Sequence, residues 1–286
     1  MSIEPAPFRR VAIAGVGLIG GSIALAIRRH WRSVRVIAID RAPVLDSVMR
    51  AGAADVGGDT LDVARDADLV VLAAPVMENI ALLGQLPGYL EPGAIVTDVG
   101  STKRAVVAAA NAIPSLTFVG GHPMSGAAAG GFGAARPDLF DGRPWILTPD
   151  ARPAATVDRL DAFVTGLGAV PHIMTADLHD RLVGAISHLP QLTASALMHV
   201  VGTLAGDAGL ELAGPGLMDA TRLAGSPAEI WRDIAASNED VLREALGVMI
   251  RTMTAMRDAL GDDDALDSVF TSAARWREAL VRARGE

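Results

Sequence analysis

The sequence predicts an α/β chain, with a doubly wound parallel sheet first and an all-helical half after it. Three observations carry this. Short apolar runs at residues 11–14, 34–39, 67–74, 94–99, 116–121, 145–148 and 169–174 alternate with helix-like stretches. A glycine-rich turn follows the first run, and an acid closes the second. From Thr175 onward no strand signal remains. The boundaries expected are 1–174 for a dinucleotide-binding domain of Rossmann type and 175–286 for a helical domain.

The glycine turn organises the first half. Residues 10–40 read as strand, Gly15-Val16-Gly17-Leu18-Ile19-Gly20, helix, strand and Asp40. Gly15 suits the tight turn, Gly17 lets the backbone approach a pyrophosphate, and Gly20 lets the helix pack on the strand. The helix N-terminus then offers free N–H groups to phosphates. Asp40 stands where a carboxylate takes ribose hydroxyls, which points to NAD. Arg41 beside it is the group that could instead accept the extra phosphate of NADP.

Each later element follows from its own pattern. Helix-like residues near 78–86 follow a strand that ends at Ala74-Pro75, and residues 103–112 form a helix after Ser101. A strand leads into His122-Pro123-Met124-Ser125-Gly126 and a loop rich in Gly and Ala. Strands that alternate with helices give a parallel sheet, whose ligands sit beyond the carboxyl ends of the strands. Gly15–Gly20, Asp40, Ala74, Pro75, Ser101 and His122 therefore belong to one crevice.

In the second half, residues 177–204 read as a long helix with a kink expected at Pro190. Residues 182–206 lack Asp, Glu, Lys and Arg, but Pro190, Gln191, Ser187, His188 and His199 suit a buried core helix better than a bilayer. A short helix is expected over 218–224. Ser226-Pro227-Ala228-Glu229 combines a capping box with proline at the first helical position. It should open one helix running to about Leu260. The apolar face of that helix is too broad for a single neighbour, which predicts a homodimer.

Composition excludes several classes. The 286 residues carry a net charge of −8, and the basic residues are scattered, so nucleic acid is not an expected partner. With no cysteine there is no disulfide framework or thiolate chemistry, and no metal constellation is visible. No charged-then-apolar leader precedes the first strand, so a cytoplasmic location is expected.

Four residues invite chemistry. His122 is the titrating side chain nearest the crevice, either a proton handler or a histidine that satisfies loop carbonyls. His188 faces either the cleft or the core. Ser101 either donates to a substrate hydroxyl or caps the helix beginning at Thr102 or Lys103. Arg222, in an apolar and small stretch, suits a carboxylate, or else pairs with Asp219.

GVGLIGGS (15–22), DVGSTK (98–103), GGHPMSG (120–126), SHLPQ (187–191) and DATRLAGSPAEIW (219–231) together resemble the prephenate and arogenate dehydrogenases of tyrosine biosynthesis. That resemblance implies NAD(P)-dependent oxidative decarboxylation of prephenate or arogenate. It implies that His122 holds the ring hydroxyl with Ser101, that Arg222 binds a substrate carboxylate, and that Trp231 lines the site from the dimer partner. Two positions depart from the family: Gln191 stands where many members carry a histidine, and Ala128 where many carry a glutamate. Both lie near the substrate in the family, so the preferred substrate stays open, an amino-substituted prephenate included. A β-hydroxyacid dehydrogenase would need a lysine at the start of the second domain, and the only lysine is Lys103. A dinucleotide-sensing regulatory protein would not need His122, Ser101 and Arg222 at one crevice.

Overall fold

The computed structural model describes residues 5–127, 129–150, 152–261 and 263–284. The strands are β1 (Arg10–Ala14), β2 (Arg35–Ile39), β3 (Val56–Gly58), β4 (Leu69–Leu72), β5 (Ile95–Asp98), β6 (Thr117–Pro123), β7 (Pro144–Thr148) and β8 (Val170–Ile173). They form one sheet in the order β3-β2-β1-β4-β5-β6-β7-β8. The order reverses between β1 and β4, which in such sheets is where ligands bind.

Period-two alternation divides the strands between two cores. Val11, Ile13, Leu69 and Val71 face one side, where α1 (Leu18–His30) and α5 (Ala154–Gly166) cover them with Ile23, Ile27, Leu160 and Phe163. Ala12, Ala14, Val70 and Leu72 face the other, under Leu83 of α3 (Val76–Leu83) and Val106 and Val107 of α4 (Arg104–Asn111). α2 (Ala42–Arg50) follows β2.

The sheet differs from expectation in two places. β3 was not anticipated; its three residues, two of them glycine, give almost no apolar signal. β7 runs antiparallel to β6. Among the described residues a loop with a single 3₁₀ turn joins them, and with no crossover helix there the chain returns in the opposite sense.

The helices after Ile173 are α6 (Ala176–Val183), α7 (Leu189–Leu210), α8 (Pro215–Thr221), α9 (Ala228–Ser237), α10 (Glu239–Asp258) and α11 (Asp263–Arg284). The disturbance from Pro190 falls ahead of it, as a π turn over Gly184–His188. Proline cannot donate to the ladder and crowds the carbonyl four residues back, so the preceding turn widens. The run expected as a buried core helix is largely exposed. In α7 only Gln191 and Ala194 are buried, and Leu204 is 82% exposed.

The single long helix expected after Pro227 is two. Asn238 breaks it at φ −132°, ψ 34°, because its buried amide is engaged elsewhere. The capping box does not form: the hydroxyl of Ser226 points to Gln191. The chain divides into two compact units, residues up to Glu239 and those from Asp240. The second unit exposes Val248, Ile250 and Met253 on α10, and Phe270, Trp276 and Leu280 on α11. Among the described residues no helix is long and apolar enough to cross a membrane.

Candidate active site

The turn after β1 is shaped by missing atoms. A Cβ on Gly15, which sits at φ +91°, would lie 2.7 Å from the Ala73 carbonyl and the Ala74 nitrogen. One on Gly20 would lie 2.0 Å from the Gly15 carbonyl oxygen. A Cβ on Gly17 would meet nothing within 4 Å, because that position faces open space at the start of α1. Gly17 makes no side-chain cap, so the N–H groups of α1 stay available. Glycines that close the turn on one side and open it on the other fit the pyrophosphate of a dinucleotide.

Two side chains tie down the rim of this turn. Asp40 accepts hydrogen bonds from the N–H groups of Val16 (2.8 Å) and Arg41 (2.7 Å). Arg41 itself is exposed. Buried Asn79 donates to the Leu72 carbonyl (3.2 Å) and accepts from the Ala74 N–H (3.1 Å), which fixes the Ala74-Pro75 bend after β4.

Leu18, Ile19, Ala74, Pro75, Ser101, Arg222 and Trp231 line a single cleft of about 880 Å³. Ser101 follows β5, in a loop held from beneath. Buried Lys103 pairs with the Asp98 carboxylate, which also accepts from the N–H groups of Gly100 (2.9 Å) and Gly121 (3.1 Å). Ser101 does not cap α4, which begins at Arg104. The Asp180 carboxylate takes that task, accepting from the N–H groups of Lys103 (2.7 Å) and Arg104 (2.9 Å). Arg222 is exposed in a 3₁₀ turn over Arg222–Gly225 and has no pair with Asp219 among the described residues.

His122, near the end of β6, is 8% exposed and is not among the residues that line the cleft. Its Nδ1 is 2.8 Å from Nε2 of His179, whose Nδ1 is 2.7 Å from Oδ1 of Asp180. Burial pushes the Asp180 carboxyl up, but the His179 ring and the N–H groups of Arg104 and Lys103 outweigh it and hold the group below its usual value. Burial, then His179 and Lys103, keep His122 well below the ordinary histidine value. His179 is lowered too, by burial, against the opposing pull of Asp180.

These directions fix the tautomers. An ionised Asp180 accepts the Nδ1–H of His179, which leaves His179 Nε2 as an acceptor. Neutral His122 therefore donates through Nδ1 and carries its lone pair on Nε2.

The family pattern described as "Prephenate dehydrogenase, nucleotide-binding domain" matches residues 23–173, and that described as "Prephenate dehydrogenase, dimerization domain" matches 175–271. A prephenate dehydrogenase of Bacillus subtilis is 34% identical over 286 residues, covering 96% of this chain and 77% of that protein. The chain belongs to the prephenate dehydrogenase family. Two solved structures share its fold. The prephenate dehydrogenase of A. aeolicus, in complex with hydroxyphenyl propionate and NAD+, has a TM-score of 0.87 at 27% identity, covering 98% of this chain and 100% of that one. The Synechocystis arogenate dehydrogenase has a TM-score of 0.80 at 28% identity, covering 95% and 100%. Together with the glycine turn, this makes the cofactor an NAD-type dinucleotide.

In this member of the prephenate dehydrogenase family three further residues that the sequence singled out sit as follows. His188 is buried at 1% exposure, on the π turn, with Nδ1 3.4 Å from the Asn238 amide and Nε2 unpartnered among the described residues. Burial lowers its pKa to about 4. Gln191 is also off the cleft wall, its amide spent within the protein. Trp231 lines the cleft of its own chain, edge-on to His188 with ring centroids 5.8 Å apart. Ala128 lies outside the described residues.

Sequence reading passed over His179, Asp180, Asn79 and Asn238. The adjacent pair His179-Asp180 was the available signal, on a helix whose first turn also carries Asp177.

Proposed function

We propose that this chain oxidises and decarboxylates prephenate to 4-hydroxyphenylpyruvate, using NAD, as a homodimer. The observation that carries the reading is the buried array His122–His179–Asp180, which leaves an unprotonated imidazole nitrogen on a histidine kept neutral at pH 7. A bound nicotinamide dinucleotide supplies the hydride acceptor. His122 Nε2 takes the proton of the ring hydroxyl as the carbon bearing that oxygen is oxidised. The hydroxyl of Ser101 donates to the same oxygen, and Arg222 binds a substrate carboxylate. Loss of the ring carboxylate as carbon dioxide sends its electron pair into the ring, which becomes aromatic. The phenol oxygen then recovers its proton from the His122 imidazolium, and the histidine is ready for another turnover.

The division of labour follows the chain. Residues 1–174 take the dinucleotide, through Gly15, Gly17, Leu18, Ile19, Gly20, Asp40, Ala74 and Pro75. Residues 175–286 supply Arg222, Trp231 and the dimer contact. NAD is favoured over NADP because the Asp40 carboxylate, pinned by two backbone N–H groups, would repel a 2′-phosphate. The exposed apolar side chains of α7, α10 and α11 support a second copy as partner. Sedimentation at micromolar concentration should then give twice the chain mass, and a stable active monomer would refute the dimer.

The deciding experiment crosses prephenate and arogenate with NAD and NADP in one steady-state assay. Prephenate with NAD should give the highest kcat/KM. A higher value with arogenate would reassign the substrate, equal efficiency with NADP would show that Arg41 overrides Asp40, and no turnover in any arm would leave an amino-substituted prephenate as substrate or a dinucleotide-sensing protein.

A further inference from the structure

Gln191 sits in the first turn of α7, 4% exposed, and its amide is fully committed. Nε2 donates to the Leu223 carbonyl at 2.8 Å and to Ser195 Oγ at 3.3 Å. Oε1 accepts from the Ser226 hydroxyl at 3.2 Å. Both N–H bonds are thus used, and no donor remains for a substrate carboxylate.

The partners have a pattern. Leu223 lies within the 3₁₀ turn Arg222–Gly225 that sets Arg222 in the cleft wall, directly after Arg222, and Ser226 directly follows the turn. One buried amide therefore fastens that turn to α7 at Leu223 and just past its end at Ser226. The Arg222 side chain is exposed and makes no hydrogen bond or ion pair among the described residues, so it does not anchor itself. The guanidinium is placed by its backbone, which is held by the Arg222 N–H to the Asp219 carbonyl and fastened to α7 by Gln191.

We propose that Gln191 is a positioning residue for Arg222: it does not touch the substrate, and it sets how firmly Arg222 holds a substrate carboxylate. The carboxylate role of Arg222 rests on the function proposed above, whereas the clamp itself does not. A substitution at Gln191 should therefore weaken substrate capture only while Arg222 is present, and should leave the chemistry at His122 nearly untouched.

The test uses Gln191→Leu and Gln191→Glu in the full-length protein, each alone and combined with Arg222→Ala. Leucine removes all three bonds. Glutamate keeps the volume and the acceptor for Ser226 but turns an oxygen toward the Leu223 carbonyl. Hydrogen exchange over residues 222–226 reads the clamp without substrate. It should speed about tenfold in both variants with no change over α1, in line with the loss of buried hydrogen bonds. With prephenate and saturating NAD, KM should rise about tenfold while kcat stays within about threefold. In the Arg222→Ala background neither substitution should raise KM further. Unchanged exchange over 222–226 would overturn the clamp. So would a KM increase that persists in full beside Arg222→Ala, because Gln191 would then contact substrate directly. Faster exchange in a protein whose wild type does not turn over prephenate would refute the functional reading and leave the clamp standing.

Discussion

The two ends of the cleft are made from different materials. At the dinucleotide end the shape comes from backbone: glycines pack where no Cβ fits, and Asp40 and Asn79 serve neighbouring N–H and carbonyl groups. At the substrate end it comes from side chains of distant elements. His122 on β6 leans on His179 and Asp180 of α6, Asp180 on the start of α4, and Arg222 stands on a turn fastened to α7. One end is fixed by steric exclusion, the other by protonation and charge. Damage to the first should appear as lost dinucleotide affinity, and damage to the second as lost turnover and a moved pH profile at His122 or as weaker substrate capture at Arg222.

The largest expected effect tests the substrate end. His122→Asn removes the lone pair on Nε2, and turnover should fall on the order of 10²–10⁴-fold, the range for losing a positioned base, with dinucleotide affinity unchanged. Asp180→Asn should reproduce about 10²-fold of that loss without touching His122. An amide cannot accept from His179, Lys103 and Arg104 at once, so one of its N–H groups must face a donor. Its loss should also move the acid limb of the wild-type profile, whose midpoint lies below the usual histidine value because burial lowers His122. Stopped turnover with an unmoved acid limb in Asp180→Asn would separate the array from the chemistry.

A middle-sized effect concerns stability. His122, His179 and His188 are all lowered, His188 to about 4, so the folded chain holds these rings neutral where the unfolded chain protonates them. The unfolded state binds more protons from about pH 6.5 down to about 4, and stability must fall as pH falls through that window. His188 alone accounts for on the order of 3 kcal/mol by its shift. Thermal unfolding of His188→Leu should therefore show a flatter acid limb than the wild type, and equal slopes would remove His188 from the account.

The same contrast explains what could be read from the sequence. The dinucleotide end is local: strand, glycine turn, helix and Asp40 fall within thirty-one residues, and each glycine has a job visible from its neighbours. Ser101 and His122 were legible because they end strands. His179 and Asp180 were not, since their meaning depends on α6 packing beside β6 and the start of α4, 57 residues away in the case of His122 and His179. Asn238 looked like an ordinary helical position. Its amide donates to the Asp180 carbonyl at 2.9 Å, and that bond, invisible to periodicity, ends α9 and splits the expected long helix. The motif match placed Gln191 near substrate, whereas its commitment to Leu223 and Ser226 appears only once α7 and the 3₁₀ turn are in contact.

The smallest effect isolates the dinucleotide end. Substituting Gly15 or Gly20 cannot separate binding from folding, because a Cβ at either would strike the backbone of the protein itself. Gly17 can, since a Cβ there meets nothing within 4 Å. Gly17→Ala should fold with an unchanged melting temperature in the absence of ligand. The added methyl group would stand where the pyrophosphate approaches the start of α1, pushing it away from the N–H groups that should receive it. Dissociation of NAD should weaken about tenfold, roughly 1.4 kcal/mol, with kcat at saturating NAD near the wild-type value. Titration of NAD against protein fluorescence, beside a ligand-free melt, measures both quantities. An unchanged dissociation constant would mean that the phosphates do not approach Gly17. A lowered melting temperature would mean that the open side of the turn is needed for folding, and the contrast between the two ends would fail at its simplest point.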